Sequence, residues 1–337
     1  MAKGTLDKIQ NAIITTVNFS PVVLVALLVS WSYLAYNLSF CWTLIADGNV
    51  LQGIAYLVIF QPVSVMMVWS YIVAVRTSPG YTANFPLASP NLTQQEDETP
   101  AGISQSLGAD VGMQPLLQRG SRPSTVMVKR DGRARFCQKC NLPKYDRTHH
   151  CRTCKKCVLK MDHHCPWLNN CIGHQNHKPF YLFLVYCSLY CIIIFATTLP
   201  ETLRMVNQPL GLFGLDLNWP FLVFFSGLFG LFLVPFTGFH TNQLMQNRTT
   251  IESYERSNFI MGHRRNRDVL TSRYFNAWNL GRKENVMQVL GPKVSNWFIP
   301  TGKPEGDGTT YPLSSYAYDT LVEEEDVSDG GRDLERQ

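Results

Sequence analysis

Seven of the ten cysteines fall between Cys137 and Cys171, in the spacing C-x2-C-x9-H-C-x2-C-x2-C-x4-D-H-H-C-x5-C. Thiolates and imidazoles at such intervals are the donors of tetrahedral zinc sites, and two zinc ions need about eight of them. The stretch offers Cys137, Cys140, Cys151, Cys154, Cys157, Cys165, Cys171 and the histidines His149, His150, His163 and His164. That exceeds the requirement, so some groups are spare. C-x2-C pairs act together, which joins Cys137 to Cys140 and Cys151 to Cys154. Spacing leaves the remaining pairing open. A thiol cluster without metal, in a segment facing the cytosol, has no disulfides to hold it and little reason to fold. In the run Asp162-His163-His164-Cys165, a spare thiolate could be the nucleophile, with a neighbouring imidazole and an orienting carboxylate to activate it.

Such a module must be held somewhere, and the rest of the chain shows where. Of 337 residues, 45% are hydrophobic and only 16% charged, against about 25% charged in an average soluble protein. The apolar residues gather in four uncharged blocks: about Val22–Ile45, starting after Pro21, then Val50–Val75, Phe180–Leu199 and Trp219–Phe239. Each reaches about 20 residues, enough to cross a ~30 Å hydrocarbon core. The first is too long for a signal peptide and shows no clear cleavage site, so it is read as a retained helix. This pattern excludes a disordered chain and a single soluble domain. The net charge of +5 is too modest, and too closely tied to the membrane blocks, for a nucleic-acid binder.

Basic residues set the orientation. Fifteen Lys/Arg lie between Arg76 and Pro179 and twelve from His240 onward, whereas the loop between the last two spans holds only Arg204. The positive-inside rule places both termini and the central loop in the cytosol. Trp42, Trp69, Tyr71, Tyr181 and Trp219 fit an interfacial aromatic belt or ordinary packing. The expected architecture is an α-helical integral membrane protein with a zinc module between the second and third spans. Its parts are a cytosolic N-terminus (1–16), two helices (17–75), a flexible Pro/Ser/Thr/Gln/Gly-rich linker (76–132), the cysteine-rich domain (133–179), two helices (180–240), a cytosolic region (241–300) and a disordered acidic tail (301–337).

Asp162–Gly173 reads DHHCPWLNNCIG, Thr249-Thr250-Ile251-Glu252 follows the last span, and Asn276–Gly291 reads NAWNLGRKENVMQVLG. Together with the Cys/His spacing and four spans, these segments resemble the DHHC protein S-acyltransferases, their TTxE motif and their C-terminal N-x-aromatic element, over about residues 17 to 300. Within the family the resemblance leans toward a fungal vacuolar or Golgi-type member, in an endomembrane or the plasma membrane. It implies a protein S-palmitoyltransferase that takes palmitoyl-CoA and acylates cysteines of membrane-associated proteins. It also implies interleaved metal sites: Cys137, Cys140, His150 and Cys157 for one zinc, and Cys151, Cys154, His164 and Cys171 for the other. Both are closed and structural. Cys165 is then the acyl-accepting nucleophile, His163 its base and Asp162 the orienting carboxylate.

Further roles follow from the resemblance. Thr250 would donate to Asp162 and Glu252 would buttress the zinc module, although Thr followed by Glu is also a capping-box pattern. Asn285 would be a structural hydrogen-bonder at a helix end, and His149 likewise structural. Ser32 and Tyr190 would limit acyl-chain length in a cavity between the helices. Arg147, Lys144, Lys155, Lys156 and Lys160 would meet the CoA phosphates or hold the module against anionic headgroups. The chain has Asn176-His177-Lys178-Pro179-Phe180 where the family has Asn-Tyr-Lys-x-Phe, and His177 is expected not to touch the relay. A membrane-anchored zinc adaptor would explain the metal ligands but not a spare Cys165 or the Thr-Thr-x-Glu run. A metal transporter would carry ionisable groups within its spans, and these spans have none.

Overall fold

The computed structural model describes residues 2–84, 126–207, 216–261 and 268–317. Among them, four helices are long and apolar enough to cross a membrane: Thr16–Ala46, Val50–Arg76, His177–Val206 and Asn218–Met245. The first crossing is α1 (Ala2–Leu34), a π-helical turn (Ala35–Cys41) and a short α2 (Trp42–Ala46). The others are α3 (Val50–Arg76), α4 (His177–Val206) and α5 (Asn218–Met245). In an apolar solvent every backbone polar group needs an internal partner, so uncharged chain of this length becomes helix. Pro21 does not start the first span as the composition implied. It lies inside α1, which runs on through the expected cytosolic N-terminus.

Helix α4 is the central element and packs against both α3 and α5. The π-turn directs Tyr36, Phe40 and Cys41 inward, and Tyr36, Phe60 and Tyr190 form an aromatic column, with centroid spacings of 4.2 Å and 5.0 Å. Trp219 belongs to this core: it is buried and its indole donates to the Ser39 carbonyl, so it is no belt residue.

Between α3 and α4 lie three antiparallel hairpins: β1 (Phe136–Cys137) with β2 (Leu142–Pro143), β3 (His149–Cys151) with β4 (Lys156–Val158), and β5 (His163–Cys165) with β6 (Asn170–Ile172). Strands of two or three residues cannot hold themselves together. Helix α6 (Thr250–Tyr254), a fourth hairpin of β7 (Ser257–Met261) with β8 (Asp268–Ser272), and α7 (Arg282–Leu290) complete the cytosolic layer.

Two expected disordered stretches are partly ordered. At one end of the linker Tyr81 bridges Val158, and at the other Val126 and Met127 donate backbone N–H groups to Asp146. Residues 85–125 lie outside the described part. The tail packs as far as Ala317, which is fully buried beside Trp278. Its acidic run, Glu323–Asp326, is outside the described residues.

Arg147 joins these layers. Its guanidinium is wholly buried, donates to both Glu252 oxygens at 2.7 Å and 2.8 Å, and donates to the side chain and carbonyl of Asn247. Trp278 and Tyr311 cover its faces, 4.7 Å and 5.1 Å from the ring centroids. Burial opposes the Glu252 charge, but the Arg147 guanidinium beside it holds the carboxyl below the usual range. This contribution is present above the ordinary Glu pKa and is lost as pH falls through the lower, folded-state value. Arg147→Ala, which strands a buried carboxylate, is expected to cost about 3–5 kcal/mol. Arg147→Lys should not restore it, because the two-pronged geometry is lost. Thermal unfolding of the purified protein in detergent checks both.

Candidate functional site

The two Cys/His groups form where the hairpins meet. Cys137, Cys140, His150 and Cys157 have donor atoms within 4.8 Å of one another, as do Cys151, Cys154, His164 and Cys171. His150 Nδ1 lies 3.5, 3.2 and 3.8 Å from the sulfurs of Cys137, Cys140 and Cys157. Cys154 Sγ is 3.5 Å from both Cys171 Sγ and His164 Nδ1. Zinc bonds of about 2.3 Å to sulfur and 2.0–2.1 Å to nitrogen, at tetrahedral angles, put donors about 3.5–3.8 Å apart. The donor set and its spacing therefore fit zinc. Four protein donors close each site, so an ion there would supply cross-linking to hairpins too small to stand alone.

The sites interleave through strand register. His150 faces Cys157 across β3–β4, and His164 faces Cys171 across β5–β6. Each cross-strand pair is completed by the C-x2-C turn of the preceding hairpin. Asn141 and Lys155, just after those turns, take left-handed φ of 52° and 54°.

Alternation along β5 does the rest. Side chains two apart share a strand face. His164 turns to the metal site, so His163 and Cys165 turn the other way, and both line a cavity of about 700 Å³ between the membrane helices. The walls are almost wholly apolar, among them Leu28, Phe183, Leu184, Ile194 and Phe229. Ser32 and Tyr190 also line it and hydrogen-bond to each other at 2.8 Å.

Behind the thiol, His163 Nδ1 meets Asp162 Oδ2 at 2.6 Å. Thr250 donates its hydroxyl to that oxygen at 2.8 Å and its backbone N–H to Oδ1 at 2.7 Å. Thr249 caps α6 reciprocally with Glu252, so the capping box and the Asp162 contact coexist on adjacent threonines. Burial works against the His163 imidazolium, but the hydrogen bond to Asp162 and the neighbouring Cys165 raise it to about 9. Burial also opposes the Asp162 charge, and the hydrogen bond from His163 overrides it, holding the carboxyl well below the usual range. Asn285 is buried, donates to the Met245 carbonyl and accepts from Leu280 N–H near the start of α7.

Other expectations need correction. Arg147 and Lys160 were read as phosphate contacts, yet both are buried. Arg147 is consumed by Glu252 and Asn247, and Lys160 sits under Tyr311, its ammonium 5.9 Å from the ring centroid. Burial, then the charge of Arg147, push Lys160 well below its ordinary value. Lys144 is half-buried, and Lys155 and Lys156 are exposed. His149 was expected to hydrogen-bond, but its Nε2 is buried without a partner, and burial pushes the ring down to about 3. His177 was expected to stand apart from the relay. It is buried with Asp162 and His240, donor atoms within 4.8 Å of one another. The reading missed Asn170, whose amide donates to the Ala74, Val75 and Thr77 carbonyls at the end of α3, and no spacing rule signals that contact. It missed His240 too, although a histidine closing an uncharged span was visible.

Thr250→Val removes the hydroxyl donor at nearly constant size. One net hydrogen bond contributes about 0.5–1.5 kcal/mol, so N-ethylmaleimide modification of Cys165 should slow about 3- to 10-fold. Zinc content, read by mass spectrometry, should not change.

Comparison with known proteins agrees with this geometry. The family model of the DHHC palmitoyltransferase matches residues 130–257. Palmitoyltransferase ZDHHC15A of Danio rerio is 36% identical over 295 residues, covering 87% of this chain and 84% of that protein. Palmitoyltransferase ZDHHC20 of Homo sapiens is 34% identical over 299 residues, covering 88% and 77%. Palmitoyltransferase ZDHHC15 of Homo sapiens is 32% identical over 297 residues, covering 88% and 82%. With a family model over residues 130–257 and relatives 32–36% identical over most of both chains, the chain belongs to the DHHC palmitoyltransferase family.

Proposed function

We propose that this palmitoyltransferase works through a thioester on Cys165, with long-chain acyl-CoA as donor and cysteines of membrane-associated proteins as acceptors. The observation that carries the reading is the sharing of one strand face by His163 and Cys165 at the mouth of the apolar cavity. In the first step the Cys165 thiolate attacks the acyl-CoA carbonyl. The carbon–sulfur bond to CoA breaks, and the CoA thiolate takes the proton held by His163. In the second step His163 accepts the proton of the incoming thiol, whose sulfur attacks the acyl carbon and releases the Cys165 thiolate. Thioester replaces thioester, so no ATP is needed, and the covalent intermediate gives ping-pong kinetics. Asp162, fixed by Thr250, orients His163 throughout.

The acyl chain occupies the cavity, where burial contributes about 0.8 kcal/mol per CH2. Phe180 and Ile194 on α4 both line it, and the fourteen residues between them span about 21 Å of helix. The Ser32–Tyr190 pair limits chain length. The CoA phosphates meet Lys144, Lys155 and Lys156 at the headgroup surface. The zinc module and both termini face the cytosol, a reading that the basic loops support through the positive-inside rule, in a Golgi, vacuolar or plasma membrane.

Purified wild type incubated with labelled palmitoyl-CoA should acquire a label that neutral hydroxylamine removes, and Cys165→Ser should acquire none. Label retained by folded, zinc-loaded Cys165→Ser would defeat the assignment. In the same assay Ser32→Phe should shift competition among acyl-CoAs toward shorter chains, and Tyr190→Ala toward longer ones.

A further inference from the structure

Asp162 also belongs to a third cluster of possible ligands, separate in its residues from the two Cys3His sites. Asp162, His177 and His240 place one donor atom each within 4.8 Å of one another. His177 is 4% exposed and His240 2%. The Nδ1 atoms of both rings are buried with no hydrogen-bond partner. Phe180, Phe236 and Phe239 pack edge-on around His240, with centroids at 5.2, 4.5 and 5.3 Å, and provide no donor or acceptor. Buried polar groups are normally paired, and each unpaired one needs an explanation.

The carboxylate has room for another partner. An ionised carboxylate offers about four lone-pair positions. Asp162 uses three: Oδ1 takes Thr250 N–H, and Oδ2 takes the Thr250 hydroxyl and His163. The remaining position is on Oδ1. Ligand bonds of about 2.0–2.2 Å at tetrahedral angles put donors about 3.4 Å apart, so side chains whose donor atoms lie within 4.8 Å of one another close on an ion by shifts of up to about an ångström. Two imidazoles and a carboxylate suit zinc or another borderline divalent cation.

We propose that Asp162, His177 and His240 form a third, exchangeable divalent-metal site. With three protein ligands it keeps an open position and binds more weakly than the closed Cys3His sites. The ion draws on the carboxylate that orients His163, so occupancy slows acyl-enzyme formation. That consequence rests on the relay reading above, whereas binding does not. His177 stands where the family usually has tyrosine.

The test is Co2+ titration of the full-length protein in detergent after a brief EDTA wash that leaves two zinc ions per chain, with metal counted by mass spectrometry. Wild type should take up one further Co2+ per chain, with an absorption spectrum lacking thiolate charge transfer. His177→Tyr and His240→Gln should each lose that equivalent and keep both zinc ions. No further equivalent in wild type at saturating Co2+ overturns the proposal, whatever the variants do. So does a third equivalent that persists in both variants, or one whose spectrum shows thiolate ligation. A washed protein with two zinc ions and an empty third site that forms no acyl-enzyme, yet takes up the third ion when Co2+ is added, refutes the catalytic reading and leaves the site standing.

Discussion

The Arg147–Glu252 ion pair is the contact on which the cytosolic half depends. It joins a turn of the zinc module to the segment just after the last membrane helix, 105 residues later in the chain. A fully desolvated guanidinium is tolerable only when nearly all of its donors are taken and its faces are covered. Glu252 and Asn247 take the donors, and Trp278 and Tyr311 cover the faces. Three separate stretches of chain are therefore needed to bury one side chain. Glu252 also caps α6, the helix whose first residue, Thr250, binds Asp162. The ion pair thus fixes the threonine that fixes the aspartate behind the nucleophile.

The metal sites solve a different problem. Hairpins of two or three residues bury too little apolar surface to choose a register. A slip of one residue would turn His163 and Cys165 toward the metal and His164 toward the membrane. Opposing His164 to Cys171 across β5–β6 locks the register, because only that alignment completes four donors. The direction in which Cys165 points therefore depends on a register set by metal-ligating side chains other than its own.

Much of this was legible in the sequence. Metal-ligand spacing follows from local chain geometry, so the Cys/His groups could be read as zinc donors. Uncharged blocks of spanning length have one fate in a bilayer, so the four helices followed from composition. What was illegible shares one cause: residue type does not report burial. Arg147 and Lys160 looked like phosphate contacts because surface bases usually meet anions, and only the fold shows that they point inward. The segment after Gly302 looked disordered from its acidic run and its Gly and Ser content. Its aromatic residue Tyr311 instead completes the cage around Arg147. His177 looked like a packing substitution because its neighbours in space, Asp162 and His240, are 15 residues before it and 63 after it.

The position of Cys165 relative to the membrane helices is set by hydrogen bonds rather than by apolar burial. The last carbonyls of a helix have no intrahelical donor, and at the end of α3 Asn170 supplies one from inside the module. Tyr71, on the last turns of α3, donates to the Trp167 carbonyl two residues past Cys165. At the start of α4, Asn176 accepts from Gly173 N–H and donates to the Cys171 carbonyl, and Lys178 donates to the carbonyls of Asn296 and Thr301. Apolar packing would let the module slide along the membrane normal at little cost, since one aliphatic contact replaces another. Directional bonds to helix ends do not permit that sliding. The bilayer fixes the helices, the helix ends fix β5 and β6, and Cys165 is held against the apolar cavity between those helices.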